Sequence, residues 1–142
     1  MAKSAAFAVA IFVAGFLAGV SMTSTPALHA QGNRVFEIRT YTAAPGKLDT
    51  LKARFRDHTV RIFDRHDMKS IGYWTPQDAP LSQNTLIYVL AHPSREAAKK
   101  NWDAFRTDPE WVKVREASEA AGKVVDHVES VFADPTDFSP IK

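Results

Sequence analysis

The segment "TLIYVLA", from Thr85 to Ala91, constrains the fold more than any other stretch of the chain. Read as a strand, it is apolar on both faces, with Leu86, Tyr88 and Leu90 on one and Ile87, Val89 and Ala91 on the other. A strand of this kind is normally buried on both sides. We therefore expect it at the centre of a sheet that is covered on both faces.

Three more strands are predicted from the alternation of apolar and polar residues. They are "VFEIRTY" (Val35 to Tyr41), "MKSIGYW" (Met68 to Trp74) and "KVVDHVESVF" (Lys123 to Phe132). The segment from Thr75 to Asn84 contains two prolines and has no periodicity, which predicts a loop.

Two helical regions separate these strands. Apolar residues three and four positions apart predict the first helix over residues 48–62. Ser94 is placed to cap the second helix, and Asp108 and Pro109 are placed to restart it. Gly122 is placed to end it.

The resulting order, β-α-β-β-α-β, predicts an α+β domain of the ferredoxin-like type with a four-stranded antiparallel sheet. Right-handed crossovers place both helices on one face of that sheet and make the first and third strands central. The helices then cover only one face of the doubly apolar third strand. The simplest cover for the other face is a second copy of the chain, so we expect a homodimer packed sheet against sheet.

The first 30 residues have the features of a secretory signal peptide. Lys3 provides a positive charge, residues 5–20 are uncharged, and Pro26 precedes "ALHA", which predicts cleavage after Ala30. The uncharged run is shorter than the roughly 20 residues that span a membrane, and an uncleaved anchor is the alternative. We expect a domain of residues 31–142 that is periplasmic or secreted and has no stable membrane span after cleavage.

The charge balance argues against two classes of partner. The chain has 18 Lys and Arg residues against 16 Asp and Glu, a formal net charge of +2. This balance gives no reason to expect nucleic acid or an anionic membrane surface as a partner. Because the chain has no cysteine, an exported domain must depend on its core, and on a partner subunit, for stability.

Three segments, in order, resemble the NIPSNAP family: "FEIRTY", "AFRTDPEW" and "PTDFSP". The similar region runs from Arg34 to Lys142. The resemblance implies a dimeric α/β-barrel fold and a homodimer. That superfamily also holds cofactor-independent monooxygenases, small cyclases and haem enzymes, whereas NIPSNAP members have no settled activity. Eukaryotic members are mitochondrial, and the predicted export signal departs from that setting. The resemblance therefore implies a fold more firmly than a reaction.

His58 is the first candidate for a ligand-binding residue. It lies between Phe55 and Ile62 on the predicted apolar stripe, so we expect its ring to point toward the sheet. It also matches the family's "F-R-x-H" stretch. A half-buried histidine can exchange protons near neutral pH. Three interpretations stay open: a core residue with a satisfied ring, a ligand contact, or an acid–base group.

The first strand carries a polar face that includes Arg39, and the fourth strand carries His127 and Glu129. If both strands turn these residues away from the helices, they meet in the dimer interface, where a buried arginine needs carboxylate partners. One interpretation is an ion-pair network that sets the register of the dimer. The other is an anion-binding pocket in which Arg39 makes charge-assisted hydrogen bonds.

Aromatic residues provide the remaining ligand-binding candidates. An apolar cleft between helices and sheet, suited to a flat organic ligand, would be lined by Tyr41, Tyr73, Trp74, Tyr88 and Trp102. The alternative is that these side chains only fill the core.

A metal site is not expected. His58 and His66 are eight residues apart, which is about 12 Å along a helix, and neither a Cys pair nor an HxxxH motif occurs. We therefore predict no metal and no cofactor.

Three hypotheses of function follow. The leading one is an exported, homodimeric, NIPSNAP-type domain that binds a small molecule. The second is a cofactor-independent oxygenase or cyclase that uses His58 and a tyrosine on an aromatic substrate. The third is a protein-interaction module whose contact segment is the tail "PTDFSPIK". The sequence leaves open which ligand is bound and whether any reaction is catalysed.

Overall fold

The computed structural model describes residues 34–142. The predicted signal peptide, residues 1–30, lies outside the described residues. Within residues 34–142, no helix has both the length and the apolar character that crossing a membrane requires.

Four strands form one antiparallel sheet in the order β2-β3-β1-β4. Their bounds are Val35–Ala43 for β1, Lys69–Trp74 for β2, Thr85–His92 for β3 and Val125–Ala133 for β4. The doubly apolar β3 is central, beside β1, as its sequence predicts. With the helices between the strands, this is the predicted ferredoxin-like α+β fold.

The first helical region is not a regular α-helix throughout. It consists of α1 (Leu48–Arg54), a π-helical turn (Phe55–Thr59) and α2 (Val60–Arg65). The predicted helix is confirmed as a continuous helical segment from Leu48 to Arg65, and the π turn within it was not predicted. A π turn inserts one extra residue into the helical repeat, and here Thr59 is buried in place of His58 while Ile62 stays in the core as predicted.

The second helical region follows its sequence signals closely. It consists of α3 (Arg95–Thr107) and α4 (Pro109–Glu119). The Ser94 side chain accepts a hydrogen bond from the Ala97 N–H at 3.1 Å, and Asp108 accepts from the N–H groups of Glu110 and Trp111 at 2.8 and 3.2 Å. Both predicted caps are confirmed.

The strand register assigns each residue to a face, because directly paired residues share one. Arg39 pairs with Tyr88 on the face beneath the helices, and Ile38 pairs with Val89 on the opposite face, which we call the open face. The main core fills the space between helices and sheet. Its large fully buried side chains include Tyr88, Phe63, Leu51, Ile62, Met68 and Leu90.

The open face has an apolar row across the middle of the sheet. Ile38 pairs with Val89 on one side and with Val131 on the other. Ile38 is 38% exposed and Val131 is 60% exposed. The C-terminal residues 134–141 border one end of this face, where they form a groove of about 370 Å³ with Phe36 and Ile38. Most of the apolar row is left uncovered within the protomer.

Candidate functional site

The candidate site is built around the carboxylate of Glu37, which is 1% exposed beneath the helices. Arg39 Nη1 and Ser130 Oγ donate to one of its oxygens at 2.5 and 2.7 Å. Trp102 Nε1 and His92 Nε2 donate to the other at 2.6 and 3.1 Å. Side chains from three strands and α3 therefore converge on one buried charge.

These hydrogen bonds control the ionisation of Glu37. Burial alone would raise the pKa of this carboxyl, because it penalises the charged form. The hydrogen bonds from His92, Trp102, Ser130 and Arg39 outweigh burial and lower the pKa of Glu37 to about 2. Glu37 is therefore a carboxylate throughout the physiological range.

Arg39 is held between its carboxylate partner and two aromatic rings. Its Cζ lies 4.2 Å from the centroid of the Trp102 ring and 5.4 Å from that of Tyr41. Burial favours the neutral guanidine, but the nearby tyrosines and Glu37 raise the pKa of Arg39 further above its ordinary value. Its guanidinium is thus a fixed, permanent positive charge.

A cavity of about 410 Å³ opens above this cluster. Glu37, Arg39, Trp102 and Ser130 form its floor, and three exposed basic side chains stand at its mouth: Arg95, Lys99 and Arg106. We call this the basic cavity. Four positive side chains thus face one carboxylate whose hydrogen bonds are already formed.

The chemistry of the basic cavity suits an anion. The volume lies within the range of about 300–1,000 Å³ that is usual for small-molecule sites. A guanidinium in a partly desolvated position makes stronger hydrogen bonds to carboxylate or phosphate oxygens than a fully solvated one does. Asp103 pairs with both Lys99 and Arg106 at 2.7 and 3.0 Å, which reduces the positive charge at the mouth but leaves Arg39 and Arg95 available.

Two of the predicted ligand-binding residues, Arg39 and Trp102, line the basic cavity. Tyr41 is their neighbour, because Arg39 contacts the rings of both Trp102 and Tyr41 and its Nη2 is 3.4 Å from the Tyr41 hydroxyl. Tyr73 lies farther along the sheet, where its ring stacks on Tyr88 at 5.6 Å and its hydroxyl bonds to Ser70. Burial raises the pKa of the Tyr73 hydroxyl.

The expected orientation of His58 is wrong. His58 is exposed, and the buried position on that turn is taken by Thr59, whose Oγ1 donates to the Arg54 carbonyl at 3.1 Å. The extra residue of the π turn causes this exchange. His58 instead borders an open groove of about 520 Å³ between α1 and α4. Its role as a ligand contact stays a prediction.

Trp74 borders a cavity of about 310 Å³ whose lining also includes Tyr73, Phe55 and Arg56. It pairs with Ile87, which belongs to the open face, and it is 52% exposed. Its indole folds back over Gly72, so closely that a Cβ added at that glycine would lie within 2.5 Å of the ring. Alternation along β2 places Tyr73 and Trp74 on opposite faces of the sheet, and both can line this cavity because β2 is an edge strand.

The predicted meeting of polar residues in a sheet–sheet interface does not occur either. Glu37, Arg39 and Tyr41 face the helices, whereas His127 and Glu129 pair with Thr42 and Thr40 on the open face. The Arg39–Glu37 ion pair therefore lies inside the protomer and cannot set the register of a dimer through that face.

The three basic residues at the mouth of the cavity were not predicted as site residues. A usable signal was present, because positions 95, 99, 102 and 106 follow steps of four, three and four residues and therefore share one helix face. His92 and Ser130 carry no such signal, since only the strand register brings them to Glu37.

Comparison with known proteins identifies the family. The NIPSNAP family model matches residues 36–140, which is most of the chain. The chain belongs to the NIPSNAP family. No curated protein matches this NIPSNAP chain significantly.

Solved structures of other NIPSNAP proteins share its fold. An uncharacterized NIPSNAP-like domain protein from Burkholderia xenovorans is 18% identical, with 77% of this chain and 90% of that chain covered and a TM-score of 0.66. A NIPSNAP family protein from Agrobacterium tumefaciens is 22% identical, with 77% and 99% covered and a TM-score of 0.67.

A more distant structure shares only the fold with this NIPSNAP chain. SnoaB, a cofactor-independent oxygenase from Streptomyces nogalater, is 12% identical, covers 76% of this chain and 98% of its own, and gives a TM-score of 0.51. At this identity the likeness carries no information about the reaction.

Proposed function

We propose that this NIPSNAP chain is an exported, homodimeric domain that binds a small organic anion in the basic cavity. The observation that carries the proposal is the fixed guanidinium of Arg39 on the floor of that cavity. Glu37 and Trp102 hold it in one orientation, so little side-chain entropy is lost when a ligand binds.

The positions of the other basic residues support the same ligand class. Arg95, Lys99 and Arg106 are exposed and long, so they can attract an anion from solvent and close over it. The aromatic faces of Trp102 and Phe132 line the same cavity, and Arg95 lies 4.5 Å from the Phe132 ring. A ligand that combines a carboxylate or phosphate with an apolar body would use both kinds of contact.

The experiment that tests this function is native mass spectrometry of the protein purified from its own host. We expect a retained small anion in the wild-type protein. The double variant Glu37→Gln/Arg39→Met, which removes both charges of the buried pair together, should lose it. Arg56→Met removes one exposed positive charge from the π turn, away from the basic cavity, and should retain the ligand. Loss from Arg56→Met, or retention by the double variant, contradicts the proposal.

Export is the part of this proposal that rests on residues 1–30 alone. A charged start, an uncharged run and "ALHA" support cleavage after Ala30. Mass spectrometry of the N-terminus after cell fractionation should find a chain that begins at Gln31 in the periplasm or the medium. A full-length chain held in the membrane would show that these residues form an anchor.

A further inference from the structure

A second cavity, of about 170 Å³, lies between the π turn, α4 and the β1–β4 side of the sheet. Aromatic rings form much of its wall, including those of Tyr41, Phe55, Phe105 and Trp111. We call this the aromatic cavity. It is separate from the basic cavity, and the inference drawn from it goes beyond the proposed function without resting on it.

Arg54 is the buried charged residue of the aromatic cavity, whose lining also includes Thr59, Arg115 and Glu119. It is 5% exposed, although it is a charged residue on a helix. Its Nη1 donates to Ser118 Oγ and to Glu119 Oε1, both at 3.2 Å. Among residues 34–142, no acceptor pairs with its Nε, and Nη1 is the nitrogen that makes its hydrogen bonds. The Nε–H of this buried arginine therefore has no acceptor within that range, and an unsatisfied donor in a site that excludes water lowers stability.

Arg54 is the last residue of α1 and directly precedes the π turn. Arg54 and Phe55 are three and four residues after the buried Leu51, so both lie on the ordinary buried stripe of α1. The π turn begins at Phe55, and the Thr59 hydroxyl donates to the Arg54 carbonyl inside the turn. Turns of this kind occur frequently at functional sites.

The shape and charge of the cavity define a ligand class. A cavity of about 150 Å³ in another protein binds benzene, so this one accommodates a single aromatic ring. Glu119 already compensates the charge of Arg54, and Arg115, which also lines the cavity, is exposed so that water solvates its charge. The buried part of the site is left with a hydrogen-bond donor to be satisfied. We propose that the aromatic cavity binds a monocyclic aromatic compound carrying one oxygen acceptor, such as a phenol, with that oxygen accepting from Arg54.

The test uses phenol and toluene as probes of the wild-type protein, followed by NMR titration. Toluene has a similar size but no oxygen. Phenol should shift the Trp111 indole and the backbone amides of residues 54–59. In the double variant Arg54→Met/Glu119→Gln, which removes the ion pair without stranding either charge, phenol should bind about tenfold more weakly, the loss of one hydrogen bond. Toluene binding should stay unchanged.

Two further variants complete the design. Val128→Phe fills the cavity from β4 and should abolish binding of both probes, so it tests the site even if the Arg54 double variant does not fold. The control is Arg56→Met. Arg56 is exposed on the same helical segment, so this variant should bind phenol as the wild type does. The inference is overturned if phenol shifts cluster around Trp102, if Val128→Phe binds phenol normally, or if the Arg54 double variant weakens both probes equally.

Discussion

Glu37 shows how a single buried charge makes stability depend on pH. Its pKa in the folded protein is about 2, against an ordinary value of 4.5. A lowered pKa stabilises the folded state above pH 4.5, and that contribution is lost as the pH falls from 4.5 toward 2. The window is well below the physiological range, so Glu37 is a structural charge.

We predict that Glu37→Gln lowers the free energy of unfolding by about 3 kcal/mol at pH 7, since it leaves Arg39 buried without its carboxylate. The difference from wild type should narrow as the pH falls from 4.5, because Glu37 then takes up a proton in the unfolded chain while it stays ionised in the folded protein. Urea unfolding at a series of pH values from 3 to 7 measures this. A difference that is constant over the series would mean that Glu37 does not titrate as described.

His58 and Thr59 are adjacent on the π turn, but His58 is exposed and Thr59 is buried. His58→Leu should change the free energy of unfolding by less than about 0.5 kcal/mol, because the ring is exposed. Thr59→Val keeps the side-chain shape but removes the donor to the Arg54 carbonyl, and should cost about 1–3 kcal/mol. Thermal melts of the two variants measure both costs. A larger loss of stability for His58→Leu than for Thr59→Val would show that His58, and not Thr59, is the buried residue of the π turn.

At the scale of helices and strands, some features could be predicted from the sequence and others could not. The caps at Ser94 and Asp108 were predictable because each acts on the backbone two or three residues away. The π turn was not predictable. The residues that pack beside its start, Glu119 and Trp111 against Arg54, lie more than fifty positions away along the chain, where a local sequence pattern does not reach.

The same distinction applies to the candidate site. Trp102 and its basic neighbours on α3 follow helical spacing, so one face of α3 could have been identified from the sequence. Which face of β1 carries Arg39 could not, since β1 alternates between an apolar and a polar set and either can face the helices. The polar set faces them here because Glu37 finds four donors beneath α3.

Asp108 connects α2 to the start of α4, and we predict that it contributes more than a simple cap. Besides two N–H groups, it accepts from Arg65 Nη2 at 2.8 Å and His66 Nε2 at 2.7 Å. Asp108→Ala should cost about 2–3 kcal/mol, whereas Ser94→Ala, which loses one cap bond, should cost about 1 kcal/mol.

Asp108→Asn is the control for this prediction, because it keeps the cap and removes the charge. It should fall between wild type and Asp108→Ala in urea unfolding. Burial opposes ionisation of Asp108, but Arg65, His66 and the helix N–H groups hold its pKa well below the usual range. Equal costs for Asp108→Ala and Ser94→Ala would show that the contacts to α2 contribute nothing.

At the scale of the whole molecule, the open face exposes apolar side chains that no other part of residues 34–142 covers. The apolar row through Ile38 crosses three strands, and Trp74 adds a half-exposed indole to the same face. Contiguous exposed apolar surface of this kind is characteristic of an interface. The sequence predicted a bare face, but it did not show whether Tyr88 or Val89 would lie on it.

The register decides which substitutions test the proposed homodimer. Tyr88 and Leu90 face the helices, so a charge there should unfold the protomer. Ile38 faces away, so Ile38→Glu should leave the protomer folded and place an unpaired charge in the interface. By light scattering at micromolar concentration, the wild type should have twice the protomer mass and Ile38→Glu the mass of one protomer, with similar circular dichroism. Lys113→Glu on the exposed side of α4 should remain dimeric. A wild-type protein with the mass of one protomer would refute the homodimer, and the apolar row through Ile38 would then need a different partner.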